Sequence, residues 1–129
     1  TENTKSYQLI KSVLEDSAKA AYQGKIFVNS DAQKTDGYQL SKAILLNKDS
    51  EFNAKPELEI YADDVKCSHG SASGSLNEDS IFYLMSRGLN YQQSRELLIN
   101  GFLLDVVEKI TDPEIKNLIK NLIGIKEWI

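Results

Sequence analysis

Glu57-Leu58-Glu59-Ile60-Tyr61-Ala62 places Leu58, Ile60 and Ala62 on one side of an extended chain and Glu57, Glu59 and Tyr61 on the other. This period of two is the mark of a strand with one buried face. Some twenty residues later the period changes. Ile81, Phe82, Leu84 and Met85 follow the acidic pair Glu78-Asp79, a helical apolar face behind a first turn that suits the macrodipole. The chain therefore divides into a β half over residues 1–74 and a helical half over 75–129.

Upstream of residue 57, three more stretches carry strand patterning: Tyr7 to Leu14, Ala21 to Val28 and Tyr38 to Leu46. Gly24, Asn29-Ser30-Asp31, Asp36-Gly37, Asn47-Lys48-Asp49-Ser50 and Lys55-Pro56 punctuate them. Their apolar centres recur at roughly 15–20 residues, which points to stacked rungs more than to tight hairpins. Downstream, Arg87 falls in the last turn of the first helix and Gly88 supplies its stop. Asn90 and Gln93 have the spacing of a capping box, opening a helix through about Ile110. Asp112-Pro113 gives an N-cap with proline at the first helical position. Ile115, Leu118, Ile119, Leu122 and Ile123 then keep helical spacing as far as Gly124. The middle helix is apolar on more than one face, through Leu97, Leu98, Phe102, Leu104, Val106 and Val107. Two readings stand for it: a helix packed on several sides, or one with a face kept for a partner protein.

The segment joining the halves, Ala62-Asp63-Asp64-Val65-Lys66-Cys67-Ser68-His69-Gly70, holds the only cysteine and the only histidine of the 129 residues. In an extended chain Val65, Cys67 and His69 project to one face. Either they point inward, Cys67 as a small hydrophobe and His69 bonded to a carbonyl, or they are ligands, since thiolate and imidazole suit iron or zinc. A closed tetrahedral site takes four ligands, so a complete site requires a second chain. Asp63-Asp64 reads as a turn or cap, because adjacent strand residues face opposite ways. Gly70-Ser71-Ala72-Ser73-Gly74 lacks the lysine and spacing of a phosphate loop and reads as a flexible turn between the halves.

Composition excludes several classes. A net charge of −4, with only Arg87 and Arg95 as arginines and the lysines scattered, offers no basic stripe for a phosphate backbone. Purely apolar runs stop at four residues, far below the roughly 20 that span a bilayer. Neither nucleic acid nor membrane is expected as a partner. A single cysteine forms no internal disulfide, which fits a reducing cytoplasm. No serine sits in a nucleophile-elbow context, so a hydrolase triad has little support. Thr1 is not an initiator methionine, so the chain is expected to be a piece of something longer.

Lys55-Pro56-Glu57-Leu58-Glu59-Ile60 and the run from Ala62 to Gly70 resemble the SufB/SufD family, and specifically its SufD branch. Supporting matches include Gly24-Lys25-Ile26, Ala32-Gln33-Lys34-Thr35-Asp36, Leu45-Leu46-Asn47, Phe82-Tyr83-Leu84, Ser86-Arg87-Gly88 and Gly101-Phe102. SufB-type chains carry Glu directly after the matching histidine and a sulfur-accepting cysteine upstream. Here Gly70 follows His69 and no upstream cysteine exists. Ser71-Ala72 replaces the usual Ala-Thr. The resemblance implies a right-handed parallel β-helix, a single-stranded solenoid of which residues 1–74 are the C-terminal rungs, followed by a small three-helix domain. It implies a non-enzymatic scaffold that pairs with a SufB-like subunit and docks a SufC-type ABC ATPase on its C-terminal helices, with Phe82, Leu98 and Phe102 as candidate contacts. The scaffold interface would host a transient iron–sulfur cluster, ligated by His69 with Cys67 beside it, and none is expected on the isolated chain. Two competing readings are an interaction module unrelated to cluster assembly and a carbohydrate-active enzyme. The second is disfavoured because Asp63-Asp64 has no arginine nearby.

Overall fold

A computed structural model describes residues 1–125 of the chain. The last four positions of the helical half expected over 75–129 lie outside the described residues. The chain divides into two compact units between Gly74 and Ser75.

The first unit holds five strands: β1 (Lys5–Leu14), β2 (Lys19–Val28), β3 (Asp36–Leu45), β4 (Glu51–Ile60) and β5 (Lys66–Gly74). They alternate between two parallel sheets, one ordered β1-β3-β5 and the other β2-β4. The registers are unbroken, Lys5 pairing Asp36, Asp36 pairing Lys66, and Lys19 pairing Glu51. The reason lies in the links. Four to seven residues separate successive strands, whereas a crossover to a parallel neighbour in the same sheet takes a dozen or more. Each link therefore carries the chain into the other sheet.

The expected right-handed parallel β-helix is corrected by this arrangement. The strands form two separate sheets, three-stranded and two-stranded, and no closed solenoid is formed among the described residues. Recurring apolar centres show that strands repeat, but not that the sheets close on one another. Two local readings also change. Gly70 to Gly74, read as a flexible turn, lies within β5, where ladder pairing to β3 overrides the weak strand propensity of serine and glycine. Pro56, read as a break, sits inside β4, a position open to proline because β4 has a neighbour on one side only.

Alternate residues fill the space between the sheets. Ile26, Val28 and Ala62 are buried there, with Ala32, Val65 and Cys67 packed against them. The corners stack as the strands do. The amide of Asp36 donates to the Thr4 carbonyl and that of Lys66 to the Thr35 carbonyl, each at 2.9 Å.

The second unit holds three helices, as the sequence predicts: α1 (Glu78–Ser86), α2 (Tyr91–Val107) and α3 (Pro113–Leu122). Asn77 caps α1, and the Asn90–Gln93 capping box is made in both directions. Asp112 caps α3, with Pro113 in its first turn. Gly88 and Gly124 take left-handed φ values of 100° and 70° just past the ends of α1 and α3, a conformation glycine adopts without strain. Arg87 lies one residue beyond α1. Its guanidinium sits 5.2 Å over the Tyr83 ring, so its role is cation–π contact with the helix it follows.

Candidate functional site at the open end of the sheets

β5 carries the chain's thiol and imidazole. The turn feeding it is held by Asp64, whose amide donates to Gln33 Oε1 at 3.0 Å and whose carbonyl accepts from the Lys34 amide at 2.6 Å. The structure thus places Asp63-Asp64 in the turn, with Asp64 fixing the start of the strand through its backbone. From Lys66 onward the strand follows β3, pairing Gly37 with Cys67 and Gln39 with His69.

Strand alternation brings Cys67 and His69 to the same face of β5, toward the space between the sheets. Their surroundings differ. Cys67 is half-buried and belongs to the edge of the Ile26–Val28–Ala62 core. Its sulfur lies where a Cβ on Gly37 would meet it at 3.3 Å, so the glycine makes room for the thiol. His69 is exposed. Among the described residues no group of three His, Cys, Asp or Glu is placed to hold a metal, and Cys67 and His69 supply the thiol and the imidazole. Two concavities of the surface are lined by Lys5, Lys34, Asp36, Asp64 and Lys66, and by Ser6, Gln8, Lys25 and Phe27, among others. Neither includes Cys67 or His69. The site is an edge, not a pocket.

Edge exposure reaches the partner strand as well. Leu58 and Ile60 pair in register with Ile26 and Val28 and therefore share their inward face. Ile26 and Val28 are 7 % and 3 % exposed, whereas Leu58 and Ile60 are 39 % and 38 % exposed. β2 is covered by β4, but no described strand lies beyond β4 or β5. The result is an apolar shelf, Leu58 and Ile60, on one end strand and an exposed imidazole on the other, each strand with backbone groups left unpaired on its open side. Sequence patterning identified the inward face of β4 but not its exposure, because period-2 alternation looks the same on an inner and an end strand.

In the β unit the groups with displaced pKa values lie on the outer face of β2 and β4 and at Tyr61, just past β4. The Glu59 carboxyl is held below its ordinary range by hydrogen bonds from Lys25 and then Tyr61. Glu59 in turn raises Lys25 and Tyr61. Lys25 and Tyr61 are exposed and Glu59 is half-buried, a surface network sensitive to salt.

In the helical unit the three predicted contact residues separate. Phe82 on α1 is 75 % exposed, while Leu98 and Phe102 on α2 are half-buried. On α3, Ile115, Leu118 and Leu122 are exposed at 49 %, 57 % and 75 %. Their helical spacing is plain in the sequence. Their exposure is visible only in the structure.

Comparison with known proteins decides the family. The model for the SUF-system iron–sulfur cluster assembly SufBD core domain matches residues 1–102. The chain belongs to the SufBD core family. Its members include the Escherichia coli K12 iron–sulfur cluster assembly protein SufD, 41 % identical over 92 % of this chain and 28 % of that protein. The chloroplastic protein ABCI7 of Arabidopsis thaliana is 41 % identical over 90 % of this chain and 25 % of its own length. A SufBD family protein of Synechocystis is 43 % identical over 80 % and 23 %. The chain thus spans about a quarter of the length of these curated relatives. The resemblance read from Lys55–Ile60 and Ala62–Gly70 holds, and the SufBD segment covers all five strands together with α1 and most of α2. No helix among the described residues is long and apolar enough to cross a membrane.

Proposed function

We propose that this SufBD-core chain is part of a SufD-like scaffold in cytoplasmic iron–sulfur cluster assembly, without turnover of its own, and that the open β4–β5 end is where a SufB-like scaffold subunit seats. The observation that carries this reading is the exposure of Leu58, Ile60 and His69 at positions whose register partners Ile26, Val28 and Gln39 are buried. An end strand of this kind is completed by strand addition, its backbone groups giving affinity and its inward side chains giving specificity. A partner covering that end buries Leu58 and Ile60 and brings its own ligands to His69. The nascent cluster is cargo at this interface: His69 supplies an imidazole from this side, and Cys67 packs as part of the core. The exposed apolar residues of the helices, Phe82 on α1 and the Ile115–Leu118–Leu122 stripe on α3, suit a SufC-type ATPase. Leu98 and Phe102 contribute mainly by holding α2 in place.

The test is complementation in a strain that depends on this system, comparing His69→Asn, Cys67→Ala and wild type in the full-length protein. Asn replaces one neutral hydrogen bond at a cost near 1 kcal/mol, but it does not replace a ligand in a shared site. His69→Asn should remain folded and fail to support growth, while Cys67→Ala should support it. Growth of His69→Asn at the wild-type rate would remove His69 from the site. Phe82→Asp and Leu118→Asp should abolish co-purification of the ATPase with unchanged circular dichroism, and unchanged recovery would move that interface elsewhere.

A further inference from the structure

Register stacking creates one polar column between the sheets. Gln8, Gln39 and His69 occupy matching positions on β1, β3 and β5. Adjacent strands lie about 4.8 Å apart, so neighbouring members of such a column are within side-chain hydrogen-bond reach. The first step is made. Gln39 Nε2 donates to Gln8 Oε1 at 2.8 Å, and the Tyr22 hydroxyl donates to the same oxygen at 3.2 Å. Stacked amides form ladders in which each nitrogen donates to the member before it and each oxygen awaits the member after it.

The second step has an acceptor in place. Gln39 is 1 % exposed, and among the described residues its buried Oε1 has no hydrogen-bond partner. Buried amide oxygens are rarely left in that condition. The amide is also confined: a Cβ on Gly24 would stand 2.5 Å from Gln39 Nε2, so the glycine leaves space for the side chain. The next position in the column is His69, whose neutral ring has one N–H donor and one lone pair.

We propose that Gln39 is a positioning residue for His69: the imidazole donates one ring N–H to Gln39 Oε1, leaving the other nitrogen unprotonated and available at the open edge. A hydrogen bond on one ring nitrogen selects the tautomer and sets the orientation of the other, as it does for metal-bound histidines. Only its functional consequence rests on the reading of His69 as a ligand; the hydrogen bond itself does not.

The experiment is long-range proton–nitrogen correlation of histidine-labelled full-length protein at alkaline pH, with His69→Asn identifying the His69 signals. A single fixed tautomer is expected in the wild type. In Gln39→Met, which keeps the side-chain length and removes the acceptor, the two ring nitrogens should average. An averaged wild-type ring, or a fixed tautomer that survives in a folded Gln39→Met, overturns the proposal. Should Gln39→Met fail to fold, the wild-type spectrum alone decides. If His69→Asn supports growth while the tautomer is fixed, the ligand reading falls and the positioning bond stands.

Discussion

Ile26 and Leu58 are register partners on one face of one sheet, yet the first is 7 % exposed and the second 39 %. Val28 and Ile60 repeat the contrast, and Gln39 and His69 repeat it on the opposite sheet. What differs is not residue type but position in the stack: β2 and β3 have strands beyond them in the chain's C-terminal direction, and β4 and β5 have none described. β2 and β3 hold the buried positions of each pair, and β4 and β5 hold their exposed counterparts.

The largest effect expected from that division is on stability. Ile26→Ala should cost about 2–5 kcal/mol, the range for truncating a buried aliphatic residue, and Leu58→Ala only about 1 kcal/mol, since much of that side chain already meets water. Urea unfolding of the two variants measures the gap directly. Equal losses would break the comparison.

A second contrast concerns space. Gly24 and Pro56 are register partners, and β4 accommodates a full side chain where β2 has none. A Cβ at Gly24 would crowd the Gln39 amide and the Tyr22 ring, so Gly24→Ala should destabilise by roughly 1–3 kcal/mol through overpacking. Pro56→Ala should change thermal stability much less. Thermal melts of both variants sharpen the distinction.

The turn into β5 offers a smaller test. Gln33→Ala removes the acceptor for the Asp64 amide and should cost about 1 kcal/mol. The loss should appear as faster hydrogen exchange at β5, with β2 unaffected. Equal acceleration in both strands would mean that the end strand is not a separately adjustable element.

The smallest effect lies in the helical unit. Glu108 accepts from Lys116 and Lys120 at 2.9 Å each, and these bonds hold its carboxyl below the ordinary range. With the folded value lowered, the pair stabilises the helices above the unfolded carboxylate pKa and ceases to do so as pH falls through the folded value. Acid should therefore loosen α3 slightly in the wild type, an effect absent in Glu108→Gln and weakened by salt. Helical circular dichroism across the acid range measures it.

Much of this was legible in the residues. Glu78-Asp79, Asn90–Gln93 and Asp112-Pro113 mark all three helix starts because the chemistry of helix ends is local. The run from Ala62 to Gly70 identifies the family because it is specific. The sheet arrangement was not legible: alternation at Leu58 and Ile60 assigns a face, but not which strand lies across from it. β5 was hidden for the same reason, its serines and glycines acquiring strand structure only from the β3 ladder. Pro56 misled as punctuation because its tolerance depends on β4 having one free side. The exposure of α3's apolar stripe likewise depends on neighbours that spacing does not reveal.

The central claim is that the β4–β5 end is a binding edge. Hydrogen exchange of the full-length protein, alone and with a SufB-like partner, tests it most directly. The account predicts that amides of Glu51–Ile60 and Lys66–Gly74 slow on partner addition while those of Lys19–Val28 stay as they were. Protection confined to other segments, with β4 and β5 exchanging as fast in the complex as in the free protein, would contradict it.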